Sequence, residues 1–345
     1  MDRKEAVLRT VKGLKTAYIP YHFDLTMKMT DRLGEHYGLS RDDVEDFIGN
    51  HFLYLSYNGP EGEENGYRSN AENKVYRDEF GVSWDVSGNY DIGDWGLIDT
   101  AVKDLDFSGY TFPDGRKGDR FTEAVTLMEK YPGRLNTMQI RGPFTMGWNM
   151  TGMEDILVGM ATEDSAVDYL FDNLTNYIVD IIDTLPEGVD AVRVLDDWGT
   201  QTGLIFSKEM WGKYIYPRFK VIGDAIRKKD LVFMHHSCGN TEELFQSFID
   251  LGIDIYDPMQ PEAIDLAGIK KKYGRYITLC GGLGSQSTIP LGTPEDVVKE
   301  ASDTKALMEK GGRYILGPAG SIPTDAPVEN VATLVDFCKC YAEKA

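Results

Sequence analysis

The amino-acid sequence predicts an α/β protein, a (β/α)8 barrel with a long excursion in its N-terminal part. From residue 130 onward, short runs rich in β-branched and aromatic residues alternate with longer stretches of helical period. This alternation is typical of parallel strands joined by right-handed crossover helices. No glycine-rich phosphate-binding loop opens any of these helices, which argues against a doubly wound open sheet. The chain has 345 residues, enough for such a barrel.

Eight strands are predicted, two before the excursion and six after it. They cover residues 17–23, 52–57, 135–140, 191–195, 231–234, 253–256, 276–279 and 314–316. The helices that stand out between them are 164–184, 207–228, 241–251 and 294–310. The last begins with Thr293, Pro294 and two acidic residues, an arrangement typical of a helix start. The C-terminal stretch is also predicted to be helical, so Cys338 and Cys340 point to different faces and serve mainly in packing.

The domain organisation follows from these elements. Residues 1–345 are predicted to form a single barrel domain. Residues 58–130 differ in composition: they are polar and rich in glycine, and they also contain aromatic and acidic residues. We interpret this segment as an excursion between barrel units, or a partial lid.

Composition and charge exclude several classes of function. The formal net charge of −20 argues against a nucleic-acid partner, because such binding depends on clustered Lys and Arg. No apolar run approaches the roughly 20 residues that cross a bilayer, and the N-terminus lacks the apolar core of a signal peptide. Four cysteines in a chain of this size do not indicate a disulfide framework. We therefore expect a cytoplasmic protein without a membrane partner; a homodimer is compatible with the sequence.

Candidate site residues are sought just after each strand, because barrel enzymes build their sites at that face. Catalytic roles are predicted for His22, Asp24, Asp196, Asp197 and His236. Substrate contacts are predicted for Tyr21, Arg141, Trp198, Gln201, Gln260 and Gln286. Asp257, Glu262, Cys238 and Cys280 also follow or end predicted strands. The convergence of His, Cys and paired Asp exceeds what ordinary polar loops contain.

The stretch MHHSCGN, residues 234–240, is open to three interpretations. His236 and Cys238 could both reach a zinc ion, with Cys280 as a third ligand or an oxygen of Asp197 or Glu262 in its place. Without a metal, His236 could act as a general base or hydrogen-bond the substrate, and Cys238 would be a small packed residue. The third interpretation is a plain turn.

Three long motifs resemble one known family. They are HHSCGNTEELFQSFIDLGIDIYDPMQPEA, GGLGSQSTIPLGTPEDV and GGRYILGPAGSIPTDAPVENV, and the shorter VLDDWGTQ, RGPFTMG and YPRFKVI fit the same pattern. Over roughly residues 130–340 the chain resembles the uroporphyrinogen decarboxylase superfamily, and within it the branch of corrinoid-dependent methyltransferases. The resemblance implies a (β/α)8 barrel. True decarboxylases of the family carry an arginine-rich segment near the N-terminus, whereas AYIPYHFDLTMKM here has no arginine.

The resemblance also implies a chemistry. Family members that activate thiols hold zinc with a His-x-Cys pair and a distant Cys; His236 and Cys238 match the pair, while Gly320 stands at the distant position. A second group is similar to enzymes that move a methyl group from a methoxylated or quaternary-amine compound to the cobalamin of a small corrinoid protein. We therefore expect a methyltransferase with zinc and a corrinoid protein partner. The alternatives are a cofactor-independent decarboxylase or lyase, with Arg141 on the substrate carboxylate, and a non-catalytic binding protein.

Overall fold

The computed structural model describes residues 1–59, 75–85 and 96–343. Its strands are β1 Phe52–Leu55, β2 Val75–Arg77, β3 Ser83–Asp85, β4 Gly96–Asp99, β5 Leu135–Arg141, β6 Ala191–Leu195, β7 Val232–His236, β8 Ile255–Met259, β9 Thr278–Leu283 and β10 Tyr314–Pro318. Seven of them form one sheet in the order β1-β5-β6-β7-β8-β9-β10, with every neighbouring pair parallel. The small strands β2, β3 and β4 form a separate antiparallel sheet.

The segment before β1 occupies the eighth position of the barrel. The His22 amide donates to the Leu316 carbonyl, and the Leu316 amide donates to the Pro20 carbonyl, both at 2.9 Å. On its other side, the His51 amide donates to the Tyr21 carbonyl at 3.3 Å. The chain thus joins β10 to the start of β1, and the predicted α/β barrel is confirmed.

The prediction of a regular strand at residues 17–23 is wrong. The structure has only isolated parallel bridges there, Tyr21 with Leu316 and Leu25 with Ile322. Pro20 has no N–H to donate to a ladder, and the Phe23 amide is bound by the Asn50 side chain at 2.7 Å. The other seven predicted strands are confirmed, the strand 191–195 with its predicted bounds and the other six with at least one end shifted.

The helices pack around the sheet in chain order. They are α1 Arg3–Val11, α2 Met27–Tyr37, α3 Arg41–Phe47, α4 Thr122–Lys130, α5 Pro143–Thr151, α6 Met153–Thr162, α7 Ser165–Thr184, α8 Lys208–Met210, α9 Tyr216–Lys228, α10 Phe245–Asp250, α11 Leu266–Tyr273, α12 Thr288–Leu291, α13 Pro294–Met308 and α14 Val328–Glu343. A π-helical turn, Trp211–Ile215, joins α8 to α9. The helix predictions are confirmed, including the start of α13, where Thr293 and Asp296 form a capping box. In the described part of the chain, no helix is long and apolar enough to cross a membrane.

The barrel interior changes from apolar to polar toward the carboxyl ends of the strands. Its floor is a buried apolar layer of Val7, Phe52, Leu135, Ala191, Met234, Ile255, Cys280 and Ile315. Side chains two positions apart in a strand share a face. The residue two positions after each floor residue therefore also points into the barrel, one layer nearer the mouth. On several strands that residue is polar: Tyr54, Arg193, His236 and Asp257. The fold thus presents ionisable groups above an apolar base.

The predicted excursion, residues 58–130, lies partly outside the described residues, at 60–74 and 86–95. The described part contains the β2-β3-β4 sheet and α4. Within it, Arg120 donates two hydrogen bonds of 2.8 Å to the Glu79 carboxylate, and Tyr177 of α7 donates to Glu79 Oε1 at 2.7 Å, which anchors the segment to the barrel. Trp84 of β3 stacks against Arg141 at the end of β5, so this small sheet lies beside the barrel mouth.

Candidate active site

Asp197, His236 and Cys238 bring three potential metal ligands together at the carboxyl end of the barrel. One side-chain atom from each lies within 4.8 Å of the others. His236 Nε2 is 3.4 Å from Cys238 Sγ and 4.0 Å from Asp197 Oδ1. The Cys238 amide also donates to Asp197 Oδ1 at 2.8 Å, which ties the two loops to each other.

Two adjacent strands bring these loops side by side. In the parallel pair of β6 and β7, Leu195 lies opposite His236, so the loops that follow leave the sheet together. Gly199 and Gly239 then approach closely: a Cβ on Gly239 would lie 2.5 Å from the Gly199 carbonyl carbon, and Gly239 has φ +79°. Any side chain at Gly239 would therefore force apart the loops that carry Asp197 and Cys238.

Asp257 and Arg193 support His236 from inside the barrel. Nδ1 of His236 lies 2.8 Å from the Asp257 carboxylate, and Arg193 also binds that carboxylate through Nε and Nη2. Arg193 continues to Gln139 Oε1 at 2.8 Å, and its guanidinium lies 4.5 Å from the centre of the Tyr54 ring. Arg193 and Asp257 are both buried. The buried charges are thus paired, as burial requires.

The electrostatics of this group act on both nitrogens of His236. Nδ1 lies 2.8 Å from the Asp257 carboxylate, which can only accept, and 2.7 Å from Arg193 Nη2, which can only donate, so these two groups compete for it. Nε2 faces Cys238 and Asp197. Burial and Arg193 lower the pKa of His236, but Asp257 and Cys238 outweigh them and raise it well above its ordinary value. Burial raises the pKa of Asp257, yet Arg193 and His236 hold it well below its usual range.

The donor set fits a zinc ion. Tetrahedral zinc with nitrogen at 2.0–2.1 Å and sulfur at 2.3 Å places these two atoms about 3.5 Å apart, close to the separation of His236 Nε2 and Cys238 Sγ. Asp197, whose side chain is 51% exposed, can move the short distance needed for its oxygen to coordinate. The Asp257–His236 hydrogen bond is the carboxylate–histidine arrangement that orients metal-binding imidazoles. Cys280 does not belong to this group; its thiol lies in the apolar floor.

The structure separates the two adjacent carboxylates of the DDW motif. Asp196 is fully buried and accepts hydrogen bonds from the Thr145 amide at 2.6 Å, the Phe144 amide at 3.3 Å and Trp198 Nε1 at 3.1 Å. These amides open α5, so Asp196 caps that helix. Burial raises the pKa of Asp196 to about 7, although these hydrogen bonds act to lower it. Of the pair, only Asp197 faces His236.

His22 and Asp24 lie outside the group of three potential ligands, although the charge of Asp24 raises the pKa of the buried Arg193. His22 is buried against the rings of Phe52 and Tyr54, and among the described residues neither of its ring nitrogens has a hydrogen-bond partner. Burial lowers the pKa of His22 well below its ordinary value, so the ring is neutral. Asp24 lies on the same segment, and its carbonyl accepts the Ile322 amide at 2.8 Å.

The predicted substrate contacts divide into packed and exposed residues. Tyr21 packs against His51 and Tyr341, and Trp198 is completely buried against Trp211, Phe219 and His235. Gln260 is buried and accepts the Gly239 amide at 3.0 Å, so it supports the Cys238 loop. Gln201 and Gln286 bond to each other at 3.2 Å on the exposed rim. Arg141 is half-buried at the carboxyl end of β5.

The sequence patterns did not identify Arg193 as a candidate site residue, and they assigned no specific role to Asp257. A charged residue in the middle of the apolar run AVRVL was the available signal, because a fully buried Arg requires a partner. Its partner, 64 residues later, could not be recognised without the strand register.

The comparisons with known proteins agree with this architecture. The sequence profile of the uroporphyrinogen decarboxylase (URO-D) family matches residues 105–341, more than half of the chain. The chain belongs to the uroporphyrinogen decarboxylase family. The family assignment therefore confirms the resemblance expected from the motifs.

The proteins similar to this URO-D family member include methyltransferases and decarboxylases. A methylcobamide:CoM methyltransferase, MtbA, of Methanosarcina mazei is 28% identical over 249 residues, covering 70% of this chain and 69% of that protein. A uroporphyrinogen decarboxylase of Rickettsia africae is 21% identical over 281 residues, with 76% of each chain covered. A solved structure of a methyltransferase from Methanosarcina mazei has a TM-score of 0.71 at 16% identity, covering 99% of both chains. This last match shows the same fold.

Proposed function

We propose that this URO-D family member is a methyltransferase that moves a methyl group between a small methylated compound and a corrinoid protein. The observation that carries the proposal is the convergence of Asp197, His236 and Cys238, with Asp257 bound to the far side of the imidazole. These three side chains would hold a zinc ion. The similarity to methylcobamide:CoM methyltransferases supports the corrinoid partner.

Each residue of the group has a distinct part in this proposal. Zinc, when bound, supplies Lewis acidity to the heteroatom that gains or loses the methyl group. A metal on Nε2 would leave the proton of His236 on Nδ1, where the Asp257 carboxylate would accept it and keep Nε2 directed toward Cys238 and Asp197. Arg193 holds Asp257 in place and offsets its buried charge. The apolar floor excludes water below this layer.

A cobalamin assay tests the proposal. Under anaerobic conditions, free cob(I)alamin and a panel of methoxylated, thioether and methylamine compounds are mixed with the full-length protein, and methylcobalamin formation is followed by absorbance. The reverse reaction is tested with methylcobalamin and thiol or phenol acceptors. We expect turnover that depends on zinc and that Cys238→Ser and His236→Ala reduce by at least about 100-fold. Cys340→Ser, an exposed thiol on α14, is the matched control and should keep full activity.

A decarboxylase is the second candidate, supported by the relatives of that name and by the guanidinium of Arg141 at the barrel mouth. Release of CO2 from small carboxylic acids, with no methyl transfer in either direction across the panel, would favour it over the methyltransferase.

A further inference from the structure

The Tyr54 ring packs against the guanidinium of Arg193 inside the barrel. The guanidinium carbon of Arg193 lies over that ring, 4.5 Å from its centre. Strand β5 stands between β1, which carries Tyr54, and β6, which carries Arg193, so this contact crosses the barrel interior. Tyr54 comes two positions after Phe52 of the apolar floor and therefore points inward. No motif in the sequence indicates this contact.

The N–H groups of Arg193 already have polar partners. Nε and Nη2 donate to the Asp257 carboxylate, and Nη1 donates to Gln139 Oε1 at 2.8 Å. Nη2 also lies 2.7 Å from Nδ1 of His236. These partners act in the plane of the guanidinium, because its N–H groups lie in that plane. Movement out of the plane is limited by packing, and the Tyr54 ring supplies an attractive contact of this kind.

Phe52 and His22 hold the Tyr54 ring in turn. The Phe52 ring stacks on it, with 9° between the planes and 5.8 Å between the centres, and the His22 ring meets it edge-on at 4.5 Å. Burial lowers the pKa of His22 well below its ordinary value, so this ring adds no second positive charge beside Arg193. Burial raises the pKa of Tyr54 well above its ordinary value, so its hydroxyl stays protonated and the ring supplies the attraction to Arg193.

We propose that Tyr54 is a positioning residue of the candidate active site: its ring holds Arg193 in the orientation that binds Asp257. Asp257 in turn lies 2.8 Å from Nδ1 of His236, whose Nε2 faces Cys238. Without the ring, a cavity would open beside the guanidinium, and Arg193 could move into it and away from Asp257. The effect on zinc rests on the proposed function, whereas the restraint on Arg193 does not.

Substitutions of Tyr54 and Phe52 separate the aromatic ring from the hydroxyl and from general packing. Tyr54→Phe keeps the ring, whereas Tyr54→Leu removes it. Phe52→Leu is the matched control, because it removes a buried ring of the same cluster from the floor, one layer below Arg193. Tyr54→Met takes the place of Tyr54→Leu if the latter does not fold, since its flexible thioether fills irregular space without an aromatic face.

Hydrogen exchange of the Arg193 Nε–H group measures the restraint directly. It is followed by NMR of the full-length 15N-labelled protein, with the signal assigned through Arg193→Lys. In the wild type and in Tyr54→Phe, the bond to Asp257 should protect this proton from exchange. Tyr54→Leu should lower the protection by about tenfold or more, because the group is then free to leave the carboxylate. Phe52→Leu should keep the protection.

Zinc affinity, measured by competition with a fluorescent chelator, reports the consequence for the site. Tyr54→Leu should bind zinc about tenfold more weakly than the wild type, because an outer support of His236 is lost. Tyr54→Phe and Phe52→Leu should stay within about threefold of the wild type, because neither removes the ring beside Arg193. Urea unfolding should show that Phe52→Leu is at least as destabilised as Tyr54→Leu, since both lose a buried ring. In Asp257→Asn, adding Tyr54→Leu should weaken zinc binding no further, because both act through one contact.

The proposal is overturned if Arg193 stays protected in Tyr54→Leu, or if Phe52→Leu or Tyr54→Phe loses as much protection. A loss of protection in Tyr54→Leu with unchanged zinc affinity overturns it as well. Protection that depends on Tyr54, in a protein that binds no zinc, retains the restraint on Arg193 and rejects the zinc site of the proposed function. Zinc-dependent methyl transfer in a protein whose Arg193 protection is independent of Tyr54 retains the function and rejects this inference.

Discussion

The Asp257 carboxylate lies 2.8 Å from Nδ1 of His236, and Arg193 Nη2 lies 2.7 Å from the same nitrogen. These two contacts occupy Nδ1 and leave Nε2 for a metal or for Cys238. Because Arg193 binds the same carboxylate, the charge of Asp257 persists inside the barrel. These contacts therefore link a buried ion pair to the group that we propose to be catalytic.

The substitution Asp257→Asn tests this link. A neutral amide in place of the carboxylate would leave the Arg193 charge buried without its partner, so we expect a loss of about 3 kcal/mol in the free energy of unfolding. Zinc affinity should fall by about 10- to 100-fold, because the imidazole loses its orienting carboxylate. Urea unfolding and competition with a fluorescent chelator measure the two effects. Unchanged zinc affinity in a folded Asp257→Asn variant would contradict the supporting role of Asp257.

We expect zinc binding to require Cys238 and to become tighter as pH rises. Protein purified without chelators should contain about one zinc per chain by elemental analysis, and Cys238→Ser should lose it while Cys340→Ser keeps it. The proton competes with the metal for His236, whose pKa is raised by Asp257 and Cys238 against burial. Apparent zinc affinity should therefore rise with pH through neutrality, by up to about tenfold per pH unit for each proton displaced. Zinc retained by Cys238→Ser would reject Cys238 as a ligand.

Asp196 should control stability rather than metal binding. Its folded pKa of about 7 lies above the ordinary value of 3.8, because burial disfavours the charge. The folded state then binds a proton more tightly than the unfolded state, so this contribution is complete below about pH 4 and is lost as pH rises through 7. The loss is on the order of 4 kcal/mol. Asp196→Asn should be less stable than the wild type at pH 5, and the difference should shrink or reverse by pH 8.

Urea unfolding at several pH values compares the two proteins, and the difference between them isolates this residue. A constant difference from pH 5 to pH 8 would show that Asp196 does not titrate in this range. Zinc content should be unchanged in Asp196→Asn, whereas Asp197→Ala should lose zinc with little change in stability, since its side chain is half exposed.

The close approach of Gly199 and Gly239 predicts a strong effect of one added methyl group. Gly239→Ala would place Cβ 2.5 Å from the Gly199 backbone at φ +79°, so we expect lower stability and weaker zinc binding, because the Cys238 loop must shift. Gly38→Ala is the matched control: its φ is +69°, but no described atom lies within 4 Å of the new Cβ. That change should cost about 1 kcal/mol and leave zinc binding intact. Equal effects of the two substitutions would show that backbone strain alone matters.

The sequence by itself determined the barrel and pointed to the place of the candidate site. Strands alternate with helices over most of the chain, which leaves few topologies, and His236 and Cys238 come at the end of a strand, where barrel sites form. The same pattern could not predict the segment around Tyr21, whose pairing is limited by a proline and by the Asn50 side chain.

Only the tertiary structure decided which polar residues share the site. Asp196 and Asp197 are neighbours in sequence, yet one caps a helix and the other faces His236, because adjacent residues at the end of an extended strand point to opposite sides. Arg193 and Asp257 lie on different strands, and they meet because the register of β6, β7 and β8 aligns their inward faces. That register cannot be predicted from composition and spacing, because it is set by the packing of the whole sheet.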